Sequence, residues 1–352
     1  MDVLILGANG FIGSHLTQSI LEGTDWRVFA LDLGSERLAR WEGHPRFRFL
    51  EGDIAINHEW IEYHIRRCDV CLPLVAIATP AAYVRDPLAV FQLDFEENLK
   101  IVRQCLQYGT RVVFPSTSEV YGMCQDAAFD ERTSPLVCGP VTKTRWIYSC
   151  AKQLLDRVII AMGRDRGLQY TLFRPFNWIG SGLDSIHEAK EGSSRVVTQF
   201  LGHLLREEPI TLVDGGSQRR CFTYVDDGVD ALMRILRNEG GRCDAEIFNI
   251  GNPENDRSIR ELAETMVRIL GEFPGQRERA RAARIETRSS ESYYGAEYQD
   301  IVHRVPSIER ARNILGWTPK IGFDEAIRRM IAEYVASGEI PTGEAGAGAE
   351  RG

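Results

Sequence analysis

A chain of 352 residues and 39.7 kDa, 43% apolar and 26% charged, has the make-up of a globular protein with one large domain or two smaller ones. A net charge of −8 argues against general nucleic-acid binding, which needs concentrated Lys and Arg. The opening "MDVLILGANG" has an acidic second residue and an apolar run too short for a signal peptide or a membrane span, so a cytoplasmic protein without membrane contact, its eight cysteines free thiols, is expected.

The first half of the chain alternates short apolar runs with helical periods. "DVLILG" reads as a buried strand, "FIGSHLTQSILEG" as a helix and "RVFALDL" as a second strand. "RFRFLEGD" and "VCLPLVAIA" follow as strands, then the helix "DFEENLKIVRQCLQYG" and the strand "RVVFPSTS". A long helix from about Trp146 to Gly167 and the strand "QYTLFRPFNWIG" continue the series. The pattern predicts an α/β fold with a doubly wound parallel sheet. Cys68 and Cys71 form a C-x-x-C, but no second pair supplies the other ligands of a zinc site, and no metal is expected.

After Gly180 the loops lengthen, and "ITLVDGG", "AEIFNIGN" and the helix "SIRELAETMVRIL" are spaced less regularly. The expected organisation is a nucleotide-binding domain over 1–180 and a smaller C-terminal α/β substrate lobe over 181–338, with segments returning to the main domain. "GQRERARAARIE" carries four Arg against two Glu and reads as a solvated face or a mobile loop. The Gly- and Ala-rich stretch 339–352 reads as a disordered tail.

"GANGFIG" places Gly7, Gly10 and Gly13 directly after the first strand, with Asn9, Phe11 and Ile12 in the same turn. Glycine permits the tight turn and a close phosphate, and the following helix N-terminus supplies N–H donors. Asp32 ends the second strand, where a carboxylate accepts from the adenosine ribose and repels a 2′-phosphate, favouring NAD over NADP. Asp53 and Ile54, after the next strand, would flank the adenine.

"RWIYSCAK" puts Tyr148 and Lys152 one helical turn apart, so they share a face. On its own such a pair is more often a core tyrosine beside a solvated lysine. Next to a nicotinamide it makes chemical sense: the ammonium, helped by the cofactor's positive ring, favours phenolate and lowers the tyrosine pKa, and phenolate can take a proton from an alcohol. Upstream, "PSTSEVYG" ends a strand with Ser116, Thr117 and Ser118, whose hydroxyls could bind the reacting oxygen.

The glycine pattern, the Ser/Thr run and Y-x-x-x-K occur in the order of the extended short-chain dehydrogenase/reductase family, which the chain resembles over roughly 1–335. The strings "FPSTSEVYG", "RPFNWIG", "YQDIVHRVPSI", "EGDI", "PLVAIATP", "DFEENL", "KQLLDRVI" and "NIGNPEN" are similar to UDP-glucuronate decarboxylases. That group includes the decarboxylase half of the bacterial bifunctional polymyxin-resistance enzyme and freestanding UDP-4-keto-pentose and UDP-xylose synthases. The bifunctional enzyme has a formyltransferase domain ahead of this region, and this chain opens on its first strand, so a freestanding decarboxylase is expected.

The resemblance implies that Tyr148 and NAD oxidise the C4 hydroxyl of UDP-glucuronate, that carbon dioxide leaves the resulting β-keto acid, and that C5 is then protonated. It implies an acid–base role for Glu119 near the carboxylate and a second role there for Arg304. Arginine is a poor acid, so Arg304 reads as orienting the carboxylate or a water. Ala78 and Tyr83 would lie along the sugar, Asn177 and Arg195 along the diphosphate and uridine, and Arg220 on a phosphate. Tyr298 would close the sugar site. Thr211 stands where the resemblance leads one to expect Lys.

The resemblance further implies a homodimer, or an assembly of dimers, through the helices carrying Asn98 and Tyr148. Leu154, Leu155, Val158 and Ile159 fit that face, although burial in the monomer explains them equally. Cys150 reads as packing off the catalytic face. One alternative is a UDP-xylose synthase that retains NADH and reduces the ketone. Another is a UDP-apiose synthase type, disfavoured because cysteines are expected there at the positions of Ala78 and Ser118. Other nucleotide-sugar epimerases or dehydratases, and a non-catalytic NAD sensor, complete the set.

Overall fold

The structure, a computed structural model, describes residues 1–188, 195–295, 299 and 301–342. The first half contains β1 (Asp2–Leu6), α1 (Phe11–Gly23), β2 (Arg27–Asp32), β3 (Phe47–Glu51), α2 (His58–Ile65), β4 (Val70–Pro73), α3 (Pro80–Arg85), α4 (Pro87–Phe91), α5 (Asn98–Tyr108), β5 (Arg111–Pro115) and α6 (Ile147–Arg166). Then come β6 (Tyr170–Pro175), β7 (Trp178–Ile179), α7 (Val196–Leu205), β8 (Ile210–Val213), β9 (Arg219–Cys221), β10 (Thr223–Tyr224), α8 (Val225–Arg237) and β11 (Glu246–Ile250). The last part holds β12 (Asp256–Ser258), α9 (Ile259–Leu270), α10 (Arg277–Ala282), β13 (Ile285–Arg288), α11 (Ser290–Tyr294) and α12 (Phe323–Ala336).

Seven parallel strands form the main sheet in the order β11-β6-β5-β4-β1-β2-β3. Alternate residues of β1 serve opposite faces, as the strand period of two requires. Val3 and Ile5 join the core with Leu16 and Ile20 of α1 and Leu232 of α8. Leu4 and Leu6 join that with Ile61 of α2, Ile101 of α5 and Leu155 of α6. Strand order reverses between β1 and β4, which opens a crevice above their C-terminal ends. The doubly wound parallel sheet expected from the sequence is therefore present.

Three local expectations need correction. The strand read through "VCLPLVAIA" stops at Pro73. β4 pairs with β5 only through Val70 and Cys71, so beyond Pro73 the strands part at the crevice, and Leu74 and residues 76–80 line it. The helix expected from Asp94 begins as a π-helical stretch, Gln92–Glu97, before α5 takes over at Asn98. The Arg-rich segment is a short helix, α10, and an exposed strand, β13, paired parallel to β8. It is a solvated face, as one of its two readings had it.

The eight cysteines are free thiols. Cys150, expected to pack, is exposed, because with Leu154 it occupies the outer face of α6. Ile340 is buried, and the Pro341 carbonyl accepts from Gln276, while residues 343–352 lie outside the described residues. Among the described residues no helix is long and apolar enough to cross a membrane.

Candidate active site

A cleft of about 720 Å³ opens over the switch point and runs from the glycine turn to the β8 region. Gly7 has φ +88, and a Cβ there would press the Leu74 carbonyl carbon at 3.0 Å. A Cβ on Gly13 would meet the Gly7 carbonyl oxygen at 2.4 Å, so only glycine lets β1, the turn and α1 approach this closely. α1 starts on Gly10 with no side chain capping its first turn, and Gly10, Phe11, Ile12 and Gly13 line the cleft. Such an uncapped N-terminus is a ready site for an anionic diphosphate. These residues fit a dinucleotide.

Asp32 stands at the rim of this turn. Its carboxylate accepts the N–H groups of Asn9 and Leu33, each at 2.7 Å. The Asn9 side chain donates to Glu36 at 2.7 Å and accepts from the Arg37 N–H at 2.9 Å, so Glu36 adds a second carboxylate that the motif reading missed. Asp53 and Ile54 flank Asp32: Gly52 N–H reaches the Asp32 carbonyl at 2.8 Å, and Ile54 is buried. They stand beside the cleft and do not line it. Asp32→Ala should weaken NAD by about tenfold, one charged hydrogen bond's worth, and relax the bias against NADP. Fluorescence titrations with both cofactors test this, and an unchanged NAD/NADP ratio would count against the assignment.

The helix α6 brings Tyr148 and Lys152 to the centre of the cleft. Tyr148 is buried and stacks on Tyr83 with ring centroids 4.8 Å apart and planes at 8°. The Lys152 ammonium is 3.3 Å from the Pro115 carbonyl oxygen and 3.4 Å from an oxygen of Asp94. The lowered tyrosine pKa expected from the sequence belongs to the site with a nicotinamide in place; in the free cleft other groups set the direction. Burial, with the charges of Asp94 and Glu119, pushes the phenol up, against a hydrogen bond from Thr117 and the positive charge of Arg195. Ser116 also differs: its hydroxyl turns away and donates to Asp156 at 2.7 Å, inside a buried network with Arg174 and Tyr121.

Beside Tyr148 lies a charge cluster that motif reading saw only in part. Glu119 is held between Arg145, at 2.7 Å, and Arg304, which contacts its other oxygen. All three side chains are nearly inaccessible. Burial alone would raise the Glu119 pKa, but the two guanidiniums outweigh it and lower it to about 2. Arg304 is not a surface residue: Phe129 exchanges backbone hydrogen bonds with Val305 and Ser307 at 2.7 and 2.8 Å, docking its segment beside Glu119. The Ser118 hydroxyl lies 3.5 Å from Arg304. Arg145 was missed although it stands one turn before Tyr148 in the same string, where the i, i+3 spacing already placed it on that face.

The remaining candidates line the far wall. Ala78 and Tyr83 line the cleft, Tyr83 against Tyr148. Asn177 has φ 40, a left-handed conformation uncommon outside glycine, and its buried Nδ2 has no hydrogen-bond partner among the described residues. Arg195 is gripped by Asp184, at 2.6 Å, a partner the sequence did not disclose. Arg220 is buried and donates to the Ile301 carbonyl at 2.7 Å while lining the cleft. Thr211 also lines it and donates to Glu286 at 3.3 Å. Tyr298 lies outside the described residues.

A glycine turn at the switch point of a parallel sheet, with a Tyr–Lys pair facing it across a cleft, defines a nucleotide-cofactor enzyme of the short-chain dehydrogenase architecture. Residues 3–251 match the NAD dependent epimerase/dehydratase family, and the chain belongs to it; its cofactor is NAD. The crystal structure of the PbgP3 protein from Burkholderia pseudomallei is 56% identical, with a TM-score of 0.86 over 95% of this chain and 96% of that one. UDP-glucose 4-epimerase from Thermotoga maritima, solved with UDP-glucose, is 23% identical, with a TM-score of 0.77 over 97% and 100%. UDP-glucuronic acid 4-epimerase from Bacillus cereus, solved with UDP-glucuronic acid and NAD, is 20% identical, with a TM-score of 0.77 over 96% and 99%. At these last identities the likeness is one of fold. The protein is an NAD-dependent enzyme of the epimerase/dehydratase family.

Proposed function

We propose that this enzyme oxidatively decarboxylates UDP-glucuronate to UDP-4-keto-pentose. The observation that carries the reading is the Arg145–Glu119–Arg304 cluster beside Tyr148. Both guanidiniums line the cleft with Tyr148, so a carboxylate on the sugar meets two donors suited to it, an interaction that a neutral hexose lacks. The string similarity to UDP-glucuronate decarboxylases adds to this.

When bound, NAD accepts the hydride from C4 of the sugar. Tyr148, as the phenolate that the Lys152 ammonium and the positive nicotinamide ring favour, takes the proton of the C4 hydroxyl, and Ser118 with Thr117 holds the oxygen. Arg145 and Arg304 orient the C6 carboxylate β to the new ketone. The C5–C6 bond then breaks, carbon dioxide leaves, and its electrons pass into the C4 carbonyl as an enolate. Glu119 stands beside C5 to move the proton that restores that carbon. Asn177, Arg195 and Arg220 hold the diphosphate end.

Eight free thiols support a reducing compartment, so the proposed location is the cytoplasm. Leu88, 70% exposed, and Leu154, 48% exposed, with the half-buried Phe91, Phe95 and Leu99, support a homodimer through α5 and α6, to be checked by sedimentation. The activity is tested by offering UDP-glucuronate and UDP-glucose separately with NAD. NADH and carbon dioxide should appear only with UDP-glucuronate. NADH from both at similar rates would remove the carboxylate from the recognition argument.

A further inference from the structure

Behind Lys152 lies a carboxylate that the proposed reaction does not use. Asp94 is 0% exposed and sits in the π-helical stretch Gln92–Glu97. A π turn is wider than an α turn and is found most often where a side chain must be re-aimed at a site. Asn98 holds this one, donating from Nδ2 to the carbonyls of Leu93 at 2.8 Å and Val75 at 3.2 Å. One Asp94 oxygen accepts the Ile77 N–H at 3.0 Å, from the segment that lines the cleft. The other lies 3.4 Å from the Lys152 ammonium, itself 1% exposed.

We infer that Asp94 is a positioning residue: it holds the Lys152 side chain in the cleft, and its buried charge raises the pH at which Tyr148 releases its proton. The inference rests on Tyr148 and Lys152 being the acid–base pair of the proposed function. A carboxylate opposite the ammonium holds that side chain in place. The same negative charge disfavours phenolate at Tyr148. Tyr148 therefore keeps its proton to higher pH. Removing the Asp94 charge lowers that step.

The other charges facing the pair are Glu119, Asp156 and the guanidiniums of Arg145, Arg195 and Arg304, with the phenol of Tyr83. Glu119 is engaged by Arg145 and Arg304, and Asp156 by Arg174 and Ser116. Asp94 is the carboxylate in ion-pair contact with Lys152.

The test uses Asp94→Asn and Asp94→Glu in the full chain. Protons released on adding NAD alone are followed with a pH indicator over about pH 6 to 10, and Tyr148→Phe defines the part owed to Tyr148. The pH profile of kcat with UDP-glucuronate is recorded alongside. Asp94→Asn should move both midpoints down by about one to three pH units, with a lower kcat plateau. Asp94→Glu, which keeps the charge, should hold the wild-type midpoint. Unmoved midpoints in Asp94→Asn, or a larger disturbance in Asp94→Glu than in the isosteric Asn, would make the role one of shape and overturn the inference. If the NAD-linked midpoint moves while wild type gives no turnover of UDP-glucuronate, the inference stands and the substrate assignment falls.

Discussion

Replacing Tyr148 by Phe should lower NADH formation from UDP-glucuronate by roughly 10²–10⁴-fold, the usual worth of a positioned acid–base group, while KM stays near the wild-type value. The split follows from the geometry. Phenylalanine keeps the ring that stacks on Tyr83 at 4.8 Å, so the wall of the sugar site keeps its shape. The hydroxyl that is lost is the group hydrogen-bonded to Thr117 and available to the substrate oxygen. Thr117 retains its role of accepting the Glu119 N–H at 3.2 Å, so the turn carrying Glu119 is undisturbed. The measurement is steady-state kinetics, with binding of UDP-glucuronate by calorimetry as the control. Activity within a few-fold of wild type would remove the phenol from the chemistry.

Glu119→Gln should slow carbon dioxide release by about 10²-fold, within the range of acid–base groups, and leave KM for UDP-glucuronate unchanged or lower. In the free enzyme Glu119 is firmly ionised, because Arg145 and Arg304 outweigh the effect of its burial. When the substrate carboxylate enters, the same guanidiniums serve two anions, and burial then acts to raise Glu119 toward a range where it can carry a proton. Glutamine removes that proton site and also a competitor for the two arginines, which is why kcat and KM should move apart. The pH behaviour of the fold gives a second reading. With its pKa depressed from 4.5 to about 2, ionised Glu119 adds stability above about pH 4.5, and this is lost as pH falls toward 2. Thermal unfolding should therefore be less acid-sensitive in Glu119→Gln over that window. Unchanged decarboxylation would contradict the role.

The part of this site that is local in sequence was legible. The glycine turn, Asp32 and the Tyr148–Lys152 pair each lie within one strand–turn–helix unit or one helical turn, where spacing fixes geometry. The parallel sheet was legible for the same reason, since its strands and helices alternate. Contacts made at long range were not. Arg304 lies 186 residues from Ser118, and only the docking of its segment on Phe129 brings it to Glu119. The part Asp94 plays at Tyr148 was not legible either, because Asp94 is a π-turn residue with no motif of its own. Ser116 was misassigned because three consecutive hydroxyls leaving a strand cannot all face one way. Cys150 was read as packed although its i, i+4 partner Leu154 shares the outer face of α6.

The central claim is that oxidation at C4 and loss of the C6 carboxylate are one sequence in one cleft. It is tested most directly by incubating the purified enzyme with UDP-glucuronate and excess NAD, following the sugar by proton NMR and NADH by absorbance. The account predicts UDP-4-keto-pentose rising in step with NADH, one for one. UDP-xylose with little net NADH would keep the decarboxylation but show that the ketone is retained and reduced. A C4 epimer that keeps its carboxylate, or no conversion at all, would contradict the account.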